Sequence, residues 1–166
     1  MSGREEQEPA SQFFRANVGI AVLDANGRVL AFEREGHPGS WQLPQGGLDV
    51  GEEPVDAARR ELAEETGLRW DQVRLLGEHP DWLAYELDAD KRKHDTGRGQ
   101  VQKWFYLGLD DPAAVIDFSR VDERKGTREF SASAWMTFAA LLGKSVAFRR
   151  RVYEQVADYA TTLGVT

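Results

Sequence analysis

Residues 46–68, GGLDVGEEPVDAARRELAEETGL, decide how this chain is read. Pro54 occupies a position where a helix's first turn tolerates proline, since the N–H it lacks would have no partner there. Gly67 stands where a helix end wants a left-handed residue. The spacing predicts a helix over residues 54–66, with Val55, Ala58 and Leu62 recurring at i, i+3, i+7 as its core stripe. Glu61, Glu64 and Glu65 fall at i, i+3, i+4, so all three leave one face of that helix. Three carboxylates so placed repel one another unless something positive sits among them. A hard divalent cation such as Mg²⁺, which takes oxygen ligands, meets that need. A solvated acidic face is the alternative, and the glycine punctuation on both sides argues against it.

The same residues carry a resemblance. Gly46-x5-Glu52-x7-Arg60-Glu61-Leu62-Ala63-Glu64-Glu65-Thr66-Gly67-Leu68 is similar to the signature box of the Nudix hydrolases at every defined position. The resemblance implies an α+β fold, the family's α/β/α sandwich with a mixed sheet supporting the box loop and helix. It also implies that Glu61, Glu64 and Glu65 bind metal with one of them near the nucleophilic water, and that the carbonyl of Gly46 is a candidate ligand. Arg60 would orient the carboxylates through ion pairs, and Glu52 would hold the loop onto the helix. On helix geometry alone, Arg60 can reach Glu64 at i+4. Gly46 and Gly47 let the backbone turn tightly and approach a metal or phosphate.

Working outward, the chain has 166 residues, enough for one domain with a real core. Hydrophobic content of 41% and charged content of 30% are those of an ordinary globular protein. There is no cysteine, so disulfides, a thiol nucleophile and thiolate metal ligation are excluded. No apolar run of about 18 residues exists to span a membrane. Residues 1–12 are polar and read as a disordered tail preceding a single domain over 13–166, without the apolar centre of a secretory signal. The expected location is cytoplasmic. A net charge of −7 does not suggest a dedicated nucleic-acid binder. Lys91, Arg92, Lys93, Arg98 and Lys103, with Arg149–Arg151, can nonetheless present a local basic mouth to phosphates.

Residues 15–24 read as a buried strand, Ala25-Asn26-Gly27 as a hairpin turn, and residues 29–33 as the returning strand. Residues 41–45 form a short extended piece, with Pro44 opposing a central strand. Residues 73–78 and 82–87 are two further strands, and the polar stretch 88–99 is a loop. In residues 101–109, Trp104 and Tyr106 face one way and Phe105 and Leu107 the other, so burial on both faces places this strand inside the sheet. Residues 114–118 and 129–137 are also strand candidates. Residues 138–142 read as a helical turn ending at Gly143, and residues 145–162 as an amphipathic terminal helix. Interspersed strands with two substantial helices predict a mixed sheet with helices packed against it.

Phosphoanhydride hydrolysis requires cations to neutralise substrate oxygens and a carboxylate to take a proton from water. Glu61, Glu64 and Glu65 can supply both functions, with Glu65 favoured as the base. Beyond the box, FRANVGI, WQLPQGG and GQVQKWF resemble the RNA pyrophosphohydrolase and dinucleoside polyphosphate hydrolase branch. By that resemblance Glu129 is a further catalytic or metal-binding carboxylate. Arg15 and Arg34 contact phosphate or substrate, and Tyr85 and Phe148 stack on a base. Lys103 and Arg149 are candidate phosphate contacts from the residues themselves. For each there is a plainer reading: core packing for Tyr85, a strand-end charge for Glu129, a solvated helix face for Arg149. His37, His79 and His94 show no metal or dyad spacing and read as surface or loop residues.

The expected activity is Mg²⁺-dependent cleavage of a phosphoanhydride, with Mn²⁺ as a substitute, in a dinucleoside polyphosphate or a 5′-triphosphorylated RNA end. The substrate is the only partner expected, with no obligate protein partner and no membrane. The acidic N-terminal extension and the net charge of −7 weigh against a long RNA rather than a small dinucleotide, because a negative surface repels a polyanion. Two other readings remain: hydrolysis of free nucleoside triphosphates or ADP-ribose, and a non-catalytic nucleotide sensor, which would be expected to have lost box glutamates.

Overall fold

A computed structural model describes residues 13–92, 97–111, 113–119 and 126–164. The expected tail 1–12, and His94 and Lys93 of the polar loop, lie outside the described residues.

The strands are β1 (Phe14–Leu23), β2 (Val29–Arg34), β3 (Trp41–Gln42), β4 (Gln45–Gly47), β5 (Arg74–Glu78), β6 (Leu83–Glu86), β7 (Gly99–Gly108) and β8 (Phe130–Met136). The helices are α1 (Pro54–Thr66), α2 (Phe138–Lys144) and α3 (Ala147–Ala160). β1 runs parallel to β7 along its whole length, from Phe14 beside Gly99 to Leu23 beside Gly108. All other pairings are antiparallel: β2 and β4 on the far edge of β1, β3 and β8 on β2, β5 and β6 on β7. The sheet is therefore mixed, as the element pattern predicts.

Alternation along β1 and β7 splits the core in two. Val18, Ile20, Val22, Phe105 and Leu107 face α1, where Ala57, Ala58 and Leu62 meet them. Ala21, Leu23, Trp104 and Tyr106 face the other way, against Val152, Tyr153 and Val156 of α3 and Leu141 of α2. One sheet between two helical layers is the sandwich expected. Gly19 is required by this packing, because a Cβ there would overlap the Trp104 indole.

Helix α1 begins at Pro54 and ends at Gly67, whose φ of 74° lets its N–H reach back to the carbonyl of Ala63. Three expectations are corrected. Residues 114–118 form no strand; they run as coil under α1, with Asp117 N–H bonded to the Thr66 carbonyl and Ile116 and Phe118 half-buried against the core. Helix α2 passes through Gly143 to Lys144, and the terminal helix starts at Ala147, because the Ser145 hydroxyl is bonded back to the carbonyls of Leu141 and Trp41. The piece 41–45 is two short strands separated at Leu43-Pro44, the Pro44 carbonyl accepting the Ile20 N–H. His79 lies in the loop between β5 and β6, as a loop residue is expected to, yet it is buried, its ring 5.1 Å from that of Tyr159.

Candidate active site

The carboxylate face of α1 opens onto a cleft of about 270 Å³, lined by Glu61, Glu64 and Glu65 on one side and by β1, β4 and β7 on the other. A larger cleft of about 470 Å³ lies at the opposite end of β1, between Leu109, Ile116 and Trp135, and holds none of these glutamates. Size does not locate the chemistry here.

Residues 42–47 form the spine of the site, since their first members are tied to α3 and their last to α1. The Gln42 side-chain carbonyl accepts a bond from Arg149 of α3. The Leu43 N–H donates to the Tyr153 hydroxyl at 3.0 Å. Gln45 N–H donates to Glu65 at 3.3 Å. Gly46 has no side chain because the Glu61 carboxylate fills the space a Cβ would take. The Gly47 carbonyl accepts from Arg60 at 2.9 Å. The two helical layers are thus joined through one short segment.

Arg60 organises the box. Its guanidinium grips Glu52 with two bonds of 3.0 and 2.9 Å, and also reaches Glu61 at 2.7 Å and Glu64 at 3.4 Å. Glu52 in turn accepts the Asp49 N–H at 3.1 Å, which closes the loop before the helix. The hydrogen bonds to Glu52, then those to Glu61, push the Arg60 pKa up despite some burial, so the group stays charged at any accessible pH. Glu61 is buried at 8% exposure, whereas the Glu64 side chain is about half exposed.

A cation needs oxygen ligands drawn together. Among the described residues no three His, Asp or Glu side chains are grouped closely enough to hold one outright. Glu61 is turned onto Arg60 and Glu65 onto the Gln45 N–H. The donor chemistry nevertheless fits: three carboxylates and backbone carbonyls, with no nitrogen or sulfur ligand, suit a hard divalent ion.

The structure sorts the other candidates. Arg15 is exposed at the rim of the cleft, with Nη2 3.6 Å from the position of a Cβ on Gly47. Tyr85 is buried with its ring 5.2 Å from Phe148, whose face is covered by Arg149 at 5.2 Å and Lys91 at 5.7 Å. This aromatic cluster does not line the cleft; it is linked to Leu43 and the segment leading into the cleft through Tyr153, whose phenol burial raises to about 12, while Arg149 pulls it down and Tyr85 and Glu65 add to the rise. Lys103 points elsewhere, donating to the His79 carbonyl at 2.6 Å, with Glu78 4.0 Å away. Glu129 is half-buried before β8, its carbonyl accepting the Glu35 N–H, and does not line the cleft. Arg34 lies beyond a β-bulge between Glu33 and Arg34, also outside the cleft.

Sequence reasoning missed Asn17, Gln45, Gln100 and Gln102, which sit at the base of the cleft. The signal for the last two was the recurrence of amides at 100 and 102, two residues apart in a strand that is otherwise apolar but for Lys103; none marked Asn17 or Gln45.

The sandwich displays an acidic helix beside a glycine turn, and comparison with known proteins shows the family in which this arrangement belongs. The NUDIX domain model matches residues 13–156, so the chain belongs to the Nudix family. It is 44% identical over 145 residues to a protein of Psychrobacter cryohalolentis named RNA pyrophosphohydrolase, covering 86% of this chain and 81% of that one. A Cereibacter sphaeroides protein of the same name is 38% identical over 158 residues, covering 90% of this chain and 91% of that one. Among solved structures, the C. elegans Ap4A hydrolase binary complex superposes with a TM-score of 0.64 at 17% identity, over 89% of this chain and 98% of that one, a likeness of fold.

Proposed function

We propose that this chain is a Nudix pyrophosphohydrolase that hydrolyses a phosphoanhydride bond in a nucleotide-linked substrate, a 5′-triphosphorylated RNA end or a dinucleoside polyphosphate, with Mg²⁺ or, as a substitute, Mn²⁺. The observation that carries it is the trio Glu61, Glu64 and Glu65 on one helix face, fixed by Arg60 and by the space that Gly46 leaves open. The long matches to proteins named RNA pyrophosphohydrolase support the RNA end as substrate.

Glu61, Glu64, Glu65 and the Gly46 carbonyl would hold the cation. When bound, it neutralises substrate oxygens, polarises phosphorus and lowers the pKa of water. The protein does the rest. Glu65 takes the proton of the attacking water, and Arg60 keeps Glu61 and Glu64 facing the cleft. Arg15 meets phosphate at the rim. Tyr85, Phe148 and Arg149 form the aromatic and cationic wall on which a base rests. Arg34 and Lys103 stand outside the cleft in this structure, where a substrate that extends beyond it would meet them, and Glu129, also outside it, would be the further catalytic or metal-binding carboxylate. The reading takes residues 13–166 as one domain, a cytoplasmic location and no obligate protein partner. Among the described residues no helix is long and apolar enough to cross a membrane.

The test is a substrate panel. Purified protein with Mg²⁺ is offered triphosphate-ended RNA, a dinucleoside tetraphosphate, free nucleoside triphosphates and ADP-ribose. Turnover of the first two above the others is expected; turnover of ADP-ribose alone sinks the substrate reading.

A further inference from the structure

Four amide side chains meet at the base of the cleft, and their polarity is set from inside the protein. Gln102, 1% exposed, lies under Asn17, 5% exposed, and beside the half-buried Gln45 and Gln100. Its other neighbour is the buried indole of Trp104, whose Nε1 is 3.2 Å from the Gln102 Oε1. An indole N–H can only donate. The Gln102 carbonyl must therefore face Trp104, and its NH2 must face the remaining three amides. That NH2 finds Asn17 Oδ1 and Gln45 Oε1 at 3.1 Å each, and Gln100 Oε1 at 3.3 Å.

The consequence propagates outward. Inverting Gln102 would set its NH2 against the indole N–H and its carbonyl against three carbonyls. Inverting Asn17 or Gln45 would set NH2 against NH2. With the carbonyls turned inward, the NH2 groups of Asn17, Gln45 and Gln100 are left to face outward. Among the described residues none has another hydrogen-bond partner, yet none is a buried donor left unsatisfied. They reach solvent, and what these three residues line is the cleft, together with Arg15. The wall opposite the box glutamates is thus one of hydrogen-bond donors, suited to anionic oxygens rather than to a cation.

We propose that Gln102, held by the Trp104 N–H, is a positioning residue that turns the Asn17, Gln45 and Gln100 amides so that their NH2 groups donate to the polyphosphate oxygens of the substrate. This rests on the pyrophosphohydrolase reading above. It adds that selection for a phosphate chain is built into the interior of the sheet, through residues that never touch the substrate.

Two variants and one spectrum test it. Gln102→Glu keeps the shape but can only accept, so Asn17 and Gln45 must turn their NH2 groups inward. Trp104→Phe removes the N–H without adding charge, freeing Gln102 to invert. For folded protein of each kind, verified by circular dichroism, KM for the best substrate and the dissociation constant of inorganic pyrophosphate in Mg²⁺ should rise about tenfold or more, the scale of one lost hydrogen bond to a charged group, and KM should rise by more than kcat falls. In ¹⁵N-labelled wild-type protein, pyrophosphate should shift the side-chain NH2 signals of Asn17, Gln45 and Gln100 and leave those of Gln72 and Gln155 in place. Folded variants with wild-type KM and pyrophosphate affinity, or unmoved Asn17 and Gln45 signals, overturn the proposal, because a merely structural network would lower Tm alone. Wild-type protein that turns over nothing in the panel overturns the function reading instead.

Discussion

Replacing Gly46 by alanine places one methyl group where the Glu61 carboxylate now sits. The carboxylate cannot simply step aside. Arg60 holds it from the other side at 2.7 Å, and Arg60 is itself anchored by two bonds to Glu52 and one to the Gly47 carbonyl. Either the carboxylate leaves Arg60 or the β4 backbone moves away from α1. Overpacking of this kind costs about 1–3 kcal/mol of stability, a few degrees in Tm for a domain of this size. Displacing a catalytic ligand by about 1 Å costs on the order of 100-fold in rate. The expected result for Gly46→Ala is a folded protein with a modestly lowered Tm, kcat down about 100-fold, and a higher cation concentration needed for half-maximal activity. Gly47→Ala is the control, since a Cβ there meets nothing closer than 3.6 Å. Wild-type kcat and cation dependence in Gly46→Ala would refute the contact between Gly46 and Glu61 as the organising feature of the site.

Other outcomes follow from the same geometry. Arg60→Lys keeps the charge but cannot grip Glu52 with two bonds and still reach Glu61; metal affinity or turnover should fall about 10–100-fold, read by cation titration of activity. Burial holds the Tyr153 phenol at about 12 against an ordinary value of 10. The folded state therefore keeps a proton that the unfolded chain releases, so this contribution is complete below pH 10 and is lost as pH rises through 12. It amounts to about 3 kcal/mol. Urea unfolding of Tyr153→Phe should show a shallower decline above pH 10 than the wild type, and about 1–3 kcal/mol less stability at pH 7 from the unpaired Leu43 N–H. Gly67→Ala should lower stability by about 1–3 kcal/mol, because φ is 74° and the new Cβ would lie 2.8 Å from that of Asp117. Gly143→Ala, inside α2 with open space around it, should raise stability by about 0.5–1 kcal/mol. Thermal melts of the two variants distinguish the sites.

The sheet and α1 were legible because their signals are local. Period-2 alternation in β1 and β7 and the proline–glycine bracket around α1 each reflect a few neighbouring residues. The stretch at 114–118 shows the limit of that logic: its alternating apolar residues do pack inward, but Asp117 bonds to the end of α1 and no neighbouring strand pairs with it. The burial of His79 within its loop was not legible, because it depends on Tyr159, far along the chain. The site divides in the same way. Spacing on one helix brings Glu61, Glu64 and Glu65 together, and Arg60 needs only α1 and its entry loop. The ties from Gln42 to Arg149 and from Leu43 to Tyr153 join residues more than 100 apart in the chain, and nothing local announces them. Lys103 carries a different lesson: a partly buried lysine does seek a partner, and here the backbone carbonyl of His79, in the loop between β5 and β6, supplies it.

The most direct test of the central claim is cleavage of a 5′-triphosphorylated RNA oligonucleotide in Mg²⁺ by the wild-type protein and by Glu65→Gln. The account predicts conversion to a 5′-monophosphate end by the wild type and a loss of about 100-fold or more in kcat for the variant, the scale of a general base, with both proteins equally folded. Equal turnover by the two proteins, or no turnover of RNA or any other nucleotide-linked pyrophosphate by the wild type, would contradict it.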